Sequence, residues 1–190
     1  MLFELFEQHR GSTAHIAHHV QECYFRPATK EFEMPCRAQT ADNVADLTEE
    51  FAAKGIPTFS TRLVEEEDCM KGPYDLHPRI KPLSERVLNS GRTSHGAESS
   101  AYYYSGFQAF SLHVLSGFNR SLCVLDSVLD KARPANTTLI VPTDCINDAW
   151  KASSSNAIMD PEVALQRMEE SGAIMTTRGK IKESLDRLTM

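Results

Sequence analysis

The stretch that most constrains the fold runs over residues 112–132, with the sequence LHVLSGFNRSLCVLDSVLDKA. Its first part is a short hydrophobic run that reaches Gly117, which predicts a buried strand. Asn119 or Ser121 can then cap a helix, because apolar residues recur behind them at helical spacing. The sequence therefore predicts a strand that turns into a helix, with Cys123 in the first turn of that helix.

The same alternation of elements recurs along the chain. Apolar residues at helical spacing precede Gly55, which stands where a C-cap glycine is expected, and a strand pattern follows it. Later, Asp160 and Pro161 begin a helix that Gly172 ends. The predicted helices cover 38–54, 119–131, 160–172 and 181–188, and the predicted strands 14–20, 56–64, 110–115, 137–141 and 173–177. This order predicts an α/β fold with three layers, α/β/α, around a central, mostly parallel sheet.

The length of 190 residues fits one domain that covers residues 1–190. Residues 1–11 predict a short amphipathic N-terminal helix. Residues 65–100 contain an acidic run, one Gly-Pro step, one His-Pro step and Pro82, so an irregular loop region is expected there.

Composition excludes several classes of protein. The chain has 26 acidic and 20 basic residues, and its formal net charge of -6 argues against nucleic-acid partners and against anionic membranes. The N-terminus has no basic segment before an apolar one, as a signal peptide would. Five irregularly spaced cysteines, with no CxxC pair, indicate reduced thiols and a cytoplasmic protein. We expect no cofactor and no metal.

Three clustered histidines could suggest a metal site. Strand alternation puts His15 and His19 on one face of the first predicted strand and His18 on the other. One ion cannot easily gather all three imidazoles, so the pattern argues against a metal.

Cys123 is the candidate nucleophile. Ligands of open parallel sheets bind beyond the carboxyl ends of the strands, where this cysteine is expected. The positive end of a helix dipole favours the thiolate over the thiol. Backbone N–H groups in the same turn can stabilise a developing oxyanion.

The stretch resembles the isochorismatase-like cysteine hydrolase signature, strand-G-hydrophobic-x-T-x-x-C-V, in which Gly117, Cys123 and Val124 match and Arg120 stands in place of the threonine. Downstream, LIVPTDCINDAW resembles the V-x-x-D-A strand end, with Asp144 matching. The segments AHIAHHVQECYF and MDPEVALQRMEESGAIMTT resemble the opening strand and the closing helix and strand.

The resemblance implies a cysteine nucleophile, an aspartate base and a lysine. The aspartate position falls on His19, and the lysine position falls on Ser90, with Arg92 the nearest cation, or on Ala101. It also implies a small-molecule substrate and a homo-oligomer.

The oxyanion site is implied as well. Its donors would be the backbone N–H groups of Asn119 and Cys123, and a cis peptide bond is expected at Phe118–Asn119.

Three functions stay open at this stage. The leading hypothesis is hydrolysis of a C–N or related bond through a covalent Cys123 intermediate, with His19 as base. The second is a degenerate, non-catalytic protein that binds a small molecule or a protein partner, since the family's aspartate and lysine are replaced. The third is a thiol-based redox or detoxifying role.

Overall fold

The computed structural model describes residues 1–25, 35–63, 75–90, 107, 109–131, 133–148 and 159–188. The helices are α1 (Leu2–Gln8), α2 (Glu22–Phe25), α3 (Pro35–Ala52), α4 (Leu125–Leu129), α5 (Pro161–Glu170) and α6 (Arg178–Arg187). The strands are β1 (Thr13–His18), β2 (Thr58–Leu63), β3 (Ser84–Ser90), β4 (Leu112–Phe118), β5 (Thr138–Pro142), β6 (Ile146–Asn147) and β7 (Ile174–Thr176).

The described strands form one seven-stranded sheet in the order β3-β2-β1-β4-β5-β7, and β6 pairs with β4. Every pairing between these strands is parallel. Parallel neighbours need crossover connections, and the helices supply them on both faces.

Two hydrophobic cores cover the two faces of the sheet. One core joins the sheet to α1, α3 and α6 through residues such as Phe6, Val44 and Ile181. The other joins it to α4 and α5 through residues such as Val128 and Met168. The structure thus has three layers, α/β/α, which confirms the predicted fold class.

The predicted strand and helix pattern holds through most of the chain, but the irregular region predicted over residues 65–100 was wrong in part. Residues 84–90 form the edge strand β3, which pairs with β2. Among residues 84–89 only Leu88 is buried, so this strand carries little hydrophobic alternation.

No helix in the described part of the chain is both long enough and apolar enough to cross a membrane.

Candidate functional site

The order in which strands are added to the sheet reverses between β1 and β4. β2 and β3 follow on one side of β1, and the chain then crosses over to place β4 on the other side of β1. In open parallel sheets, ligands bind at such a switch point, beyond the carboxyl ends of the two strands. The register pairs His18 with Gly117, so His19 and Phe118 follow at this same edge.

Gly117 lets β1 and β4 come together there. Its φ is +111°, and a Cβ built on it would lie 2.0 Å from the carbonyl oxygen of His18. No other residue type can occupy this position without moving the backbone of β1. The requirement for glycine at position 117, which matches the family signature, therefore has a direct steric cause in this chain.

The backbone turns sharply after β4. Asn119 has a φ of 2° and a ψ of 93°, and a single π-helical turn, Arg120–Val124, leads into α4. The expected cis bond at Phe118–Asn119 was wrong, because that peptide bond is trans. The continuous helix expected from this point instead begins with the π turn, a feature that often marks functional sites.

Three N–H groups of this turn already have acceptors. The backbone N–H groups of Leu122 and Val124 both donate to the carbonyl oxygen of Asn119, each over 3.1 Å. The N–H of Ser121 donates to Asp148. The oxyanion donors predicted from the resemblance, Asn119 and Cys123, are not among these three and stay a prediction.

Cys123 lies in the π turn with 6% of its surface exposed. The side-chain amide of Asn119 approaches the Cys123 sulfur to 4.0 Å. An amide donor at this position favours a negatively charged sulfur. The cysteine is therefore secluded from bulk water and faces at least one polar group that suits a thiolate.

Asp148 fixes the start of the nucleophile turn. Its Oδ1 accepts the backbone N–H of Ser121 over 2.8 Å, and its Oδ2 accepts the Ser121 hydroxyl over 2.9 Å. Oδ2 also accepts Arg120 Nε over 3.1 Å and lies 3.0 Å from Arg120 Nη2. Ser121 and Arg120, which lie two and three residues before Cys123, are thus both held by the buried carboxylate of Asp148.

Asp148 was not among the site residues predicted from the sequence. It follows β6 directly, and β6 pairs Asn147 with Phe118, so Asp148 lies beside the residue after β4. The sequence feature that could have identified Asp148 is an aspartate directly after a short strand. Asp144, which was matched instead, accepts the backbone N–H of Arg178 over 2.8 Å.

His19 stands directly beyond β1, at the switch point. Its φ is +46°, which is unusual for a residue other than glycine, and its side chain is fully buried. Its ring meets the ring of His18 edge-on, with centroids 5.8 Å apart. Burial, and secondarily the nearby His18, hold the pKa of His19 well below its ordinary value.

His18 and His15 are buried in hydroxyl-lined positions. His18 hydrogen-bonds with Thr61 and, through Nε2, with the hydroxyl of Ser127 in α4, each over 3.1 Å. His15 hydrogen-bonds with Thr58 over 3.2 Å and with Ser116 over 2.7 Å. Burial lowers the pKa of His18 to about 4 and that of His15 to about 3. Both are neutral near pH 7.

The three positions named for the family's lysine differ in what the structure describes. Ser90 is the last residue of β3, whereas Arg92 and Ala101 lie outside the described residues. Among the described residues, no group of three or more His, Cys, Asp or Glu side chains is arranged to hold a metal ion.

Solved structures with the same fold are numerous. A cysteine hydrolase from Pseudomonas syringae pv. phaseolicola 1448A superposes with a TM-score of 0.68 at 11% identity, covering 92% of each chain. A pyrazinamidase/nicotinamidase from Streptococcus mutans UA159 gives a TM-score of 0.61 at 18% identity, covering 86% of this chain and 99% of the other. The MAR1 ribonuclease from Caenorhabditis elegans gives 0.63 at 19% identity, covering 92% and 81%.

Sequence comparisons return nothing comparable. No protein-family model matches the chain, and no curated protein sequence matches it. At identities this low, the structural likeness establishes the fold, which is that of isochorismatase-like hydrolases.

Proposed function

We propose that this protein is a cysteine hydrolase that cleaves a C–N or related bond of a small molecule through a covalent intermediate on Cys123. One observation carries the proposal. Cys123 lies in the turn that follows β4, at the switch point between β4 and β1, with its turn anchored by Asp148. A nucleophile placed there meets a substrate bound beyond the strand ends.

The chemistry follows from the residue types. His19 accepts the Cys123 proton, and the thiolate attacks the substrate's carbonyl carbon, so an S–C bond forms and the carbonyl electrons move to oxygen. The oxyanion is stabilised by backbone N–H groups of Asn119 and Cys123. When the C–N bond breaks, the protonated His19 gives its proton to the leaving nitrogen. Water, activated by His19, then hydrolyses the thioester and frees the cysteine.

The lowered pKa of His19 sets a condition on this mechanism. A neutral imidazole at pH 7 can accept a proton, but a low pKa makes it a weak base. A thiolate beside the ring would raise the pKa of the imidazole again, because opposite charges stabilise each other. His19 and Cys123 would therefore transfer the proton as a pair.

Arg92 is proposed as a source of positive charge near the substrate, in place of the family's lysine. Arginine does not release its proton near neutral pH, so this role is electrostatic only.

A homo-oligomer and a cytoplasmic location stay predictions. The excess of acidic residues, 26 against 20 basic ones, opposes binding to phosphates and so argues against a ribonuclease activity, which the name of the C. elegans protein gives.

A binding protein without catalysis is the second candidate. The burial of His19, with its lowered pKa, favours this alternative because a buried neutral imidazole can serve as a simple packing residue. A small molecule or protein partner would then be held without being cleaved.

The two candidates separate in a hydrolysis screen. The wild-type protein, Cys123→Ala and the control Cys36→Ala, which alters an exposed cysteine, are tested on a panel of small amides and vinyl ethers. The hydrolase is supported if turnover is present in wild type and Cys36→Ala and absent in Cys123→Ala. Turnover retained by Cys123→Ala would overturn it.

The binding alternative has its own signature. A panel compound that raises the melting temperature of wild type and of Cys123→Ala, but is cleaved by neither, would favour binding without catalysis.

A further inference from the structure

A cavity of about 330 Å³ lies at the amino edge of the sheet, where Thr13 begins β1 and Pro57 directly precedes β2. Its walls come from α1, the end of α6 and the loops that lead into β1 and β2. β1 runs from this edge to His18 at the switch point, a length of about 17 Å at the usual rise per residue. The cavity is therefore separate from the Cys123 site.

Part of the cavity wall is apolar. Phe6, Ile56 and Leu188 line it, and all three pack in the hydrophobic core that joins α1, α3 and α6 to the sheet. The main chain is bare at two points of the wall, because a Cβ built on Gly11 or Gly55 would meet nothing within 4 Å. Small-molecule sites of proteins begin at about this volume and are mostly apolar.

The charged part of the wall is cationic. Lys54 and Arg10 line the cavity, and among the described residues no acidic side chain does. Lys54 Nζ donates to the carbonyl oxygen of Leu188 over 3.2 Å, so the ammonium is held between two parts of the wall. In the described part of the chain this ammonium pairs with no carboxylate. It has three N–H donors, of which the bond to Leu188 takes one.

A capping role accounts for only part of this arrangement. Leu188 is the C-cap of α6, and lysine side chains commonly bond to the last carbonyl groups of a helix. Such a bond requires neither a cavity beside the ammonium nor an apolar wall around it. The cavity, its apolar wall and the ammonium together have the composition of a site for a small amphipathic anion.

We infer that this cavity is a second small-molecule site, and that its ligand carries a carboxylate on a compact apolar body. The carboxylate pairs with the Lys54 ammonium, and the apolar body packs against Phe6 and Ile56. The inference does not depend on the proposed function, because no residue of the Cys123 turn lines the cavity.

Benzoate, which is anionic, and benzyl alcohol, which is neutral and has the same ring, test the inference. Each is titrated into the full chain at neutral pH and constant ionic strength, and NMR follows the methyl resonances of Ile56 and Leu188. Both resonances should shift saturably with benzoate. Benzyl alcohol should bind about fivefold more weakly, the factor that one ion pair near the surface provides. No saturable shift with benzoate, or equal affinities for the two compounds, would overturn the inference.

Lys54→Gln should weaken benzoate binding about fivefold and leave the binding of benzyl alcohol unchanged. Lys54→Arg, which keeps the charge, should retain most of the benzoate affinity. The control Lys180→Gln removes an exposed lysine of α6 and should alter neither affinity. Unchanged benzoate affinity in folded Lys54→Gln would contradict the role of Lys54. If that variant does not fold, the comparison of the two compounds in wild type decides by the criterion already given.

Resonances near the nucleophile separate this cavity from the Cys123 site. The methyl groups of Val124, the residue after Cys123, should not shift with benzoate, and Cys123→Ala should bind benzoate as wild type does. A benzoate shift at Val124 with none at Ile56 would place the ligand at the Cys123 site and overturn the inference. Failure of the hydrolysis screen would contradict the proposed function and leave these titrations unaffected.

Discussion

Asp148 holds Ser121 through two hydrogen bonds, one to its backbone N–H over 2.8 Å and one to its hydroxyl over 2.9 Å. Ser121 is two residues before Cys123, so this carboxylate determines how the nucleophile turn begins. The pair joins segments that are 27 residues apart in sequence.

Asp148→Ala should destabilise the protein by about 2 kcal/mol, because it leaves the Ser121 N–H and the largely buried Arg120 without their acceptor. Urea denaturation measures the loss. Asp186→Ala is the matched control, since it breaks the exposed Lys182–Asp186 pair and should cost less than about 0.5 kcal/mol. Equal losses in both variants would show that Asp148 is not an anchor.

Gly117→Ala should prevent folding or cost more than about 3 kcal/mol, since its Cβ would collide with the His18 carbonyl. Thermal melting and circular dichroism report the effect. Gly172→Ala serves for comparison: its φ is also positive, +90°, but a Cβ there meets nothing within 4 Å. That variant should lose only about 1 kcal/mol. Similar behaviour of the two variants would contradict the close approach of β1 and β4.

Stability should fall as the pH drops from about 6.5 towards 4, partly through His18. Its pKa is about 4 in the folded protein and ordinary when unfolded, so in this range only the unfolded chain binds the proton. The stabilisation is present above the unfolded pKa and is lost as the pH falls. His18→Gln should reduce the slope by about 1.4 kcal/mol per pH unit. Urea denaturation at several pH values measures it, and an unaltered slope would refute the assignment.

The layers of the fold could be predicted because their patterns are local. Buried faces such as Val44, Leu47 and Phe51 on α3 repeat at helical spacing, and β4 is buried along its whole length. β3 escaped prediction because an edge strand in which Leu88 alone is buried among residues 84–89 lacks such a pattern.

The site could be predicted only in part. The position of Cys123 follows from a strand, a glycine and a helix that are contiguous in sequence. Asp148 joins it through tertiary contacts, the hydrogen bonds to Ser121 between positions 27 residues apart. The π turn and the trans peptide after Phe118 depend on backbone geometry that residue types alone do not determine.

The second-order rate constant of Cys123 with iodoacetamide at neutral pH tests the central claim most directly. Cys123 should react at least about tenfold faster than N-acetylcysteine amide, because an activated thiol is largely thiolate. His19→Gln should remove most of that advantage while Cys36, which is exposed, keeps its rate. If Cys123 in the folded wild type reacts no faster than the small thiol, it is not an activated nucleophile, and the account of a cysteine hydrolase is contradicted.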